Sequence, residues 1–163
     1  MAERRVWFVE SQTATVEITP KCTLAPRVGI DLVFVPDVVL ALSTHAHRYL
    51  ERVYTSDEIA ACLTENGAVV PSRLAARFAA KEAVVKALCP ANGISYKNIE
   101  VVHGSSGAPE IVLSGAVALW ARRCGLSSSS VSLTHEGDYA SAVYFAMLSE
   151  PLDSRDETTI PPN

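Results

Sequence analysis

Leu74-Ala75-Ala76-Arg77-Phe78-Ala79-Ala80-Lys81-Glu82-Ala83-Val84-Val85-Lys86-Ala87-Leu88 is the stretch from which the rest of the chain can be laid out. It is rich in Ala, Leu, Glu, Lys and Arg and contains neither Gly nor Pro, so its helix propensity is close to the highest a natural sequence reaches. Leu74, Phe78, Val85 and Leu88 recur at helical spacings, which predicts one apolar stripe turned toward a core. Arg77 and Lys81 are one turn apart, as are Glu82 and Lys86, so cationic side chains flank a single carboxylate beside that stripe. On pattern alone this is a solvated face with an ordinary Glu-to-Lys pair. A second stretch changes the weighing.

That stretch is Val28 to Val35, VGIDLVFV, whose β-branched and aromatic content reads as a buried strand. Alternation places Val28, Ile30, Leu32 and Phe34 on one face and Gly29, Asp31, Val33 and Val35 on the other. Asp31 is then a carboxylate within an apolar strand, which is costly unless it is paired, hydrogen-bonded or bound to a cation. It either caps a turn or pairs with Arg73 or Arg77, or it joins Glu82 in a hard-cation site. Mg²⁺ suits the second case, because one or two carboxylates hold it while water and substrate phosphate fill the remaining positions.

Composition bounds the function. The chain has 163 residues with a net charge of −4, enough for one domain with a proper core. No basic run points to nucleic acid, so an acidic partner would have to meet a local basic patch. No apolar run approaches a membrane span, and MAERRVWFVE has charge without the long apolar region of a signal peptide. The expectation is a soluble, cytoplasmic protein. Cys22, Cys62, Cys89 and Cys124 are scattered without a C-x-x-C pair, which argues against zinc and for free thiols. Cys62 and Cys124 are expected on apolar helix faces as small buried hydrophobes.

Taken in order, residues 1–26 form an N-terminal extension. VWFVES and TATVEIT have β character and would make an extra hairpin or pair with an edge of the main sheet, and Pro20 to Pro26 reads as a linker. After the Asp31 strand, Pro36 and Asp37 open a helix carrying His45, His47, Arg48 and Arg52. Histidines two apart face different sides of a helix, so a metal pair is not expected there. Thr55 and Glu58 spell a capping box for a helix running to about Leu63, and Ser72 is the expected cap of the main helix. Cys89 to Gly93 forms a loop. IEVVHG and PEIVLS follow as a hairpin about the turn GSSGA. Gly115 to Cys124 is a helix with Leu119 and Trp120 inward, closed by Gly125. The serine run from Ser127 to Ser130 is expected as a loop. A strand, a tight turn at Gly137 and a strand returning to Met147 complete a domain spanning 27–150. Residues 151–163 are polar and expected to be disordered.

Together, VGIDLV, RVYTSDE, LAARFAAKEAVVKAL, IEVV, GAPEIVLSG and VSLTHEGDYASAVYFA resemble, in order and spacing, the holo-acyl-carrier-protein synthases, the small bacterial 4′-phosphopantetheinyl transferases. The resemblance implies an α+β fold in which an antiparallel sheet packs on the long helix, assembled as a homotrimer with sites between subunits. It implies transfer of phosphopantetheine from coenzyme A to a serine of an apo acyl carrier protein, with Mg²⁺ held by Asp31 and Glu82. Arg77 and Lys86 would bind phosphates, Phe78 would contact coenzyme A, and Lys81 is one candidate for the serine proton, with Glu82 or water as alternatives. His135, with Thr134 beside it, would reach the coenzyme A of a neighbouring protomer. Arg48 and Arg52 would meet the acidic helix of the carrier, unless they are simply solvated. Two departures stand out: the N-terminal extension, and Cys89-Pro90-Ala91-Asn92 where the family has a Gly-Thr-Gly-like segment. They leave open a transferase dedicated to polyketide or peptide-synthesis carriers, and a silent relative that binds coenzyme A without turnover.

Overall fold

The computed structural model describes residues 24–90 and 94–149. The N-terminal extension up to residue 23, the loop at 91–93 and the polar tail lie outside the described residues. Strand β1 (Leu24–Phe34) leads directly into helix α1 (Val35–Val53). Short helix α2 (Ser56–Ala61) and the central helix α3 (Pro71–Leu88) follow, then a single 3-10 turn at Tyr96–Asn98. Strands β2 (Ile99–His103) and β3 (Pro109–Leu113), helix α4 (Gly115–Arg123), and strands β4 (Leu126–Glu136) and β5 (Tyr139–Ser149) complete the order.

The strands form two antiparallel sheets, β1-β5-β4 and β2-β3, rather than one. The last strand to be made lies in the middle of the larger sheet, so β1 pairs with a segment more than a hundred residues away, Asp31 opposite Ala142. A two-residue turn at Gly137-Asp138, with Gly137 at φ 54°, joins β4 to β5. The Val35 amide donates to the Asp138 carbonyl at 2.8 Å and fixes the start of α1 to that turn.

Local boundaries follow from local chemistry. Thr55 and Glu58 make the full reciprocal capping box at α2. Helix α3 starts two residues earlier than expected, with Pro71 in its first turn and Val70 at the cap position, so Ser72 does not cap it. The serine run belongs to β4, with a register shift between Leu126 and Ser128, because pairing with β5 satisfies its backbone. Pro26 sits inside β1 rather than in a linker, which an edge strand tolerates. In α4 the inward residues are Val117 and Ala121, whereas Leu119 is exposed and Trp120 half-buried.

The amphipathic stripe expected for α3 is not what forms. Leu74, Ala75, Ala76, Ala79, Ala80, Ala83, Val84, Ala87 and Leu88 are all buried, so the helix is enclosed on most of its circumference. Fully burying Leu74 or Val84 is worth about 2 kcal/mol each, while the alanines contribute mainly by letting neighbours come close. The sheet face beneath carries Gly29, Ala140, Ala142 and Ala146 along β1 and β5, with Val33 and Tyr144 as its larger buried members. The tightest point is Gly29, where a β-carbon would lie inside the Ala83 carbonyl and 2.9 Å from the Ala87 amide. The large apolar residues of β1 point the other way, with Val28, Ile30 and Leu32 at 60%, 60% and 63% exposure. The strand is thus buried on one face only.

Gly29→Ala is expected to lower unfolding stability by about 3 kcal/mol, the upper end for overpacked sites, because the obstacle is rigid helix backbone. Chemical denaturation checks this, and a change below about 0.5 kcal/mol, the range of ordinary surface substitutions, would mean that strand and helix are not in close approach.

Candidate active site

The close packing of β1 on α3 places the strand carboxylate beside the helix. A cleft of about 460 Å³ opens between β1, the first turns of α1 and α3, with Asp31, Phe34, Asp37, Tyr49, Phe78 and Glu82 among its walls. Asp31 and Glu82, which the sequence places fifty-one residues apart, therefore share one cavity. Lys86, one turn beyond Glu82, reaches across to β1. Its Nζ donates to Asp31 Oδ1 at 2.7 Å and to the Ile30 carbonyl at 3.0 Å. The ammonium keeps half its surface in solvent, so the pair is partly screened and free to exchange partners.

Glu82 has a different partner. Its Oε1 accepts a hydrogen bond from the Tyr96 hydroxyl, and the Tyr96 ring lies against Phe78 with centroids 5.6 Å apart at 55°. Burial pushes the Tyr96 phenol up to about 12, with the Glu82 hydrogen bond and charge and then the Asp31 charge adding to the effect. The phenol is therefore protonated, a donor and never a competing anion, at neutral pH.

Among the described residues Asp31 Oδ2 and Glu82 Oε2 accept no hydrogen bond. No cluster of three metal-ligating side chains occurs there either. A pair of carboxylates is nonetheless the donor set with which proteins hold Mg²⁺ when water and phosphate complete the shell. The Lys86 ammonium resting on Asp31 shows that the position already attracts a cation.

Not every residue expected here arrives. Lys81 is one residue from Glu82 but about 100° around the helix, and it points into the core. Its Nζ donates to Glu58 Oε2 at 2.7 Å, to the Tyr96 carbonyl at 3.0 Å and to the Ile99 carbonyl. Glu58 also accepts from the Val101 and Thr55 amides at 3.0 Å each. All three ammonium donors are thus engaged in a site closed to solvent. Burial draws the Lys81 pKa below its usual value, and Glu58 opposes that shift. Handling a substrate proton is not available to such a group. Arg77 shares that face. It is buried, donates to the Arg73 carbonyl at 3.3 Å and lies beside the Cys62 thiol, so it does not reach the cleft to bind phosphate.

Thr134 and His135 are exposed near the end of the edge strand β4, and neither lines the cleft of their own chain. Arg48 and Arg52 are exposed on α1, one turn apart. Cys62 is buried at the end of α2, Cys124 half-buried at the end of α4 and Cys89 exposed. Cys89 adopts the left-handed conformation, φ 45° and ψ 53°, at the end of α3, where glycine is ordinarily favoured. Trp120 Nε1 completes that helix end by donating to the Leu88 carbonyl at 2.9 Å. Tyr96, Tyr49, Asp37 and Glu58 were not among the residues expected from sequence. Asp37 and Glu58 carried signals, as an opening residue of α1 and as part of the capping box of α2, and both signals concerned helix initiation.

Comparison with known proteins agrees with this geometry. Residues 27–144 match the family model described as the 4′-phosphopantetheinyl transferase superfamily. The chain is 41% identical over 121 residues to the holo-[acyl-carrier-protein] synthase of Gloeobacter violaceus, covering 74% of this chain and 91% of that one. It is also 41% identical over 119 residues to the same-named protein of Frankia casuarinae, covering 73% and 94%. Among solved structures, the ACPS–CoA complex of Chronobacterium ammoniagenes is similar at TM-score 0.66 and 30% identity, covering 76% of this chain and 98% of that one.

The two lysines of α3 are expected to separate by stability. Lys81→Met leaves Glu58 buried without its partner and should cost about 3–5 kcal/mol in denaturation. Lys86→Met removes a half-exposed group and should cost no more than about 1 kcal/mol. Equal losses for the two variants would contradict the assignment of one lysine to the core and the other to the cleft.

Proposed function

The chain belongs to the 4′-phosphopantetheinyl transferase superfamily, and on that premise we propose that it transfers the 4′-phosphopantetheine group of coenzyme A to a serine of an apo acyl carrier protein. The carrier serine oxygen forms a bond to the phosphorus that bears pantetheine. The bond from that phosphorus to the bridging oxygen of the pyrophosphate breaks, and 3′,5′-ADP leaves with that oxygen and the electron pair. The observation that carries this reading is the shared cleft, with Asp31 from β1 and Glu82 from α3 in its wall and Lys86 bound to the first of them.

The work required of the protein is positioning and charge stabilisation. Asp31 and Glu82 would hold Mg²⁺, which supplies charge neutralisation at the pyrophosphate. Lys86 is exposed enough to leave Asp31 for a substrate phosphate, to which an ammonium binds as a compact charge. Phe78 and Phe34 in the cleft wall offer an apolar surface for the rest of coenzyme A. With Lys81 enclosed, the serine proton falls to the Glu82 carboxylate or to water. The first turns of α1 form part of the cleft, and its exposed Arg48 and Arg52 lie further along the same helix. A carrier with an acidic surface would be steered there and deliver its serine to the cleft mouth. No helix among the described residues is long and apolar enough to cross a membrane, and we place the reaction in the cytoplasm.

Assembly is part of this reading. Val28, Ile30, Leu32 and Phe34 of β1 and Tyr139, Val143 and Phe145 of β5 make one exposed apolar sheet face, larger than a monomer ordinarily leaves in water. A homotrimer closed across these faces would cover it. It would also bring Thr134 and His135 of one copy to the coenzyme A of the next, a contact they do not make within their own chain.

Incubation with coenzyme A, Mg²⁺ and apo carrier, read by carrier mass, is expected to show the phosphopantetheine increment. Asp31→Ala and Glu82→Ala should each abolish it while circular dichroism stays native, and full transfer by either variant would refute the site. Ile30→Lys, placing a charge on the apolar face, is expected to yield monomer by light scattering and to lose activity with it. A monomeric, fully active parent chain would remove the trimer from the account.

A further inference from the structure

Tyr96 does not line the cleft itself, yet its position beside the Glu82 carboxylate is closely determined. Three residues of α3 hold it by three different groups. Phe78 packs against its ring, Lys81 Nζ donates to its carbonyl at 3.0 Å, and Glu82 Oε1 accepts from its hydroxyl. Lys81 is itself immobilised by Glu58, whose carboxylate is tied to α2 and β2 through the Thr55 and Val101 amides. The backbone of the 3-10 turn is thus fixed from the core. The phenol is the one part of this arrangement that leaves the core and touches a cleft carboxylate.

We propose that Tyr96 is a positioning residue for the transfer reaction: its hydroxyl orients the Glu82 carboxylate and leaves Oε2 turned toward the cation that Glu82 shares with Asp31. This rests on the reading of Asp31 and Glu82 as the Mg²⁺ carboxylates. Hydrogen-bonded outer partners of metal ligands fix their orientation and raise metal affinity. A neutral phenol suits the task better than an ammonium would, because it restrains the carboxylate without cancelling the charge that attracts the ion. Lys86 cancels part of that charge on Asp31 and must release it for substrate, whereas nothing in the proposed reaction requires Tyr96 to let go. The buried Lys81–Glu58 pair acquires a purpose beyond cohesion, since it sets the height of the turn from which the phenol reaches Glu82.

Tyr96→Phe removes the hydroxyl and keeps the ring on Phe78. Calorimetric titration of Mg²⁺ into the wild-type chain saturated with coenzyme A, and into the variant, reads the metal directly. The variant is expected to bind Mg²⁺ about tenfold more weakly, the lower end for losing such a partner. Its transfer rate should fall more at limiting than at saturating Mg²⁺, and its melting temperature should stay close to wild type. A purely packing role would leave Mg²⁺ affinity unchanged, and that result overturns the inference while wild-type transfer still supports the enzyme. A wild type whose coenzyme A complex takes up no Mg²⁺ overturns both.

Discussion

The approach of α3 to β1 at Gly29 is the constraint on which the rest depends. A helix backbone can lie this close to a strand only where both surfaces are nearly without side chains, and at this point the helix offers Ala83 and Ala87 while the strand offers Gly29. The closeness sets the reach across the gap. Lys86 spans it to Asp31, and Glu82, one turn back, opens into the same cleft. A bulkier sheet face would hold the helix away, and two carboxylates on separate elements would no longer share a cavity. The alanines of α3 contribute modestly to burial energy and decisively to geometry.

The same helix divides its charges between two tasks by rotation alone. Arg77 and Lys81 fall on one side and enter the core, whereas Phe78, Glu82 and Lys86 fall on the other and define the cleft. Burying an ammonium requires a full set of acceptors, and Lys81 has them in Glu58 and two carbonyls. Such a pair adds little net stability relative to well-packed apolar residues, but it is costly to break. What it supplies is definition: it ties α2, α3, β2 and the 3-10 turn to a single point. The Lys86–Asp31 pair, half in water, is weak and exchangeable, which suits the phosphate-binding role proposed for Lys86.

Sequence reading reached the elements and the two carboxylates, because helix propensity, strand alternation and capping are local properties. Alternation even gave the correct partition of β1 into two faces. It could not say which face was inward, and the larger side chains proved to be the outward ones. The proposed trimer would account for that inversion by covering the outward face. Lys81 and Arg77 were misplaced for a related reason. Helical spacing shows which residues are neighbours, not what surrounds them, and a helix enclosed on most sides has no polar face to assign. Tyr96 was invisible because its relevance comes entirely from three contacts to residues fourteen to eighteen positions away. The serine run looked like loop because composition outweighed the ladder that β5 provides.

The outward face of β1 and β5 bears on the site as well as on assembly. Within one chain the cleft has carboxylates, one exchangeable ammonium and an aromatic wall, but His135 and Thr134 stand at the far edge of the sheet. The substrate proposed for the cleft, a pyrophosphate with a third phosphate nearby, would carry more negative charge than one lysine could match, even with a divalent ion bound. Arg77 does not make up the difference, since its guanidinium is enclosed in the core. The deficit and the uncovered apolar face are complementary facts. Closing copies of the sheet on one another would remove the apolar surface from water and furnish the missing polar contacts in one step. In the proposed trimer the site would be completed by assembly, and transfer would be conditional on it.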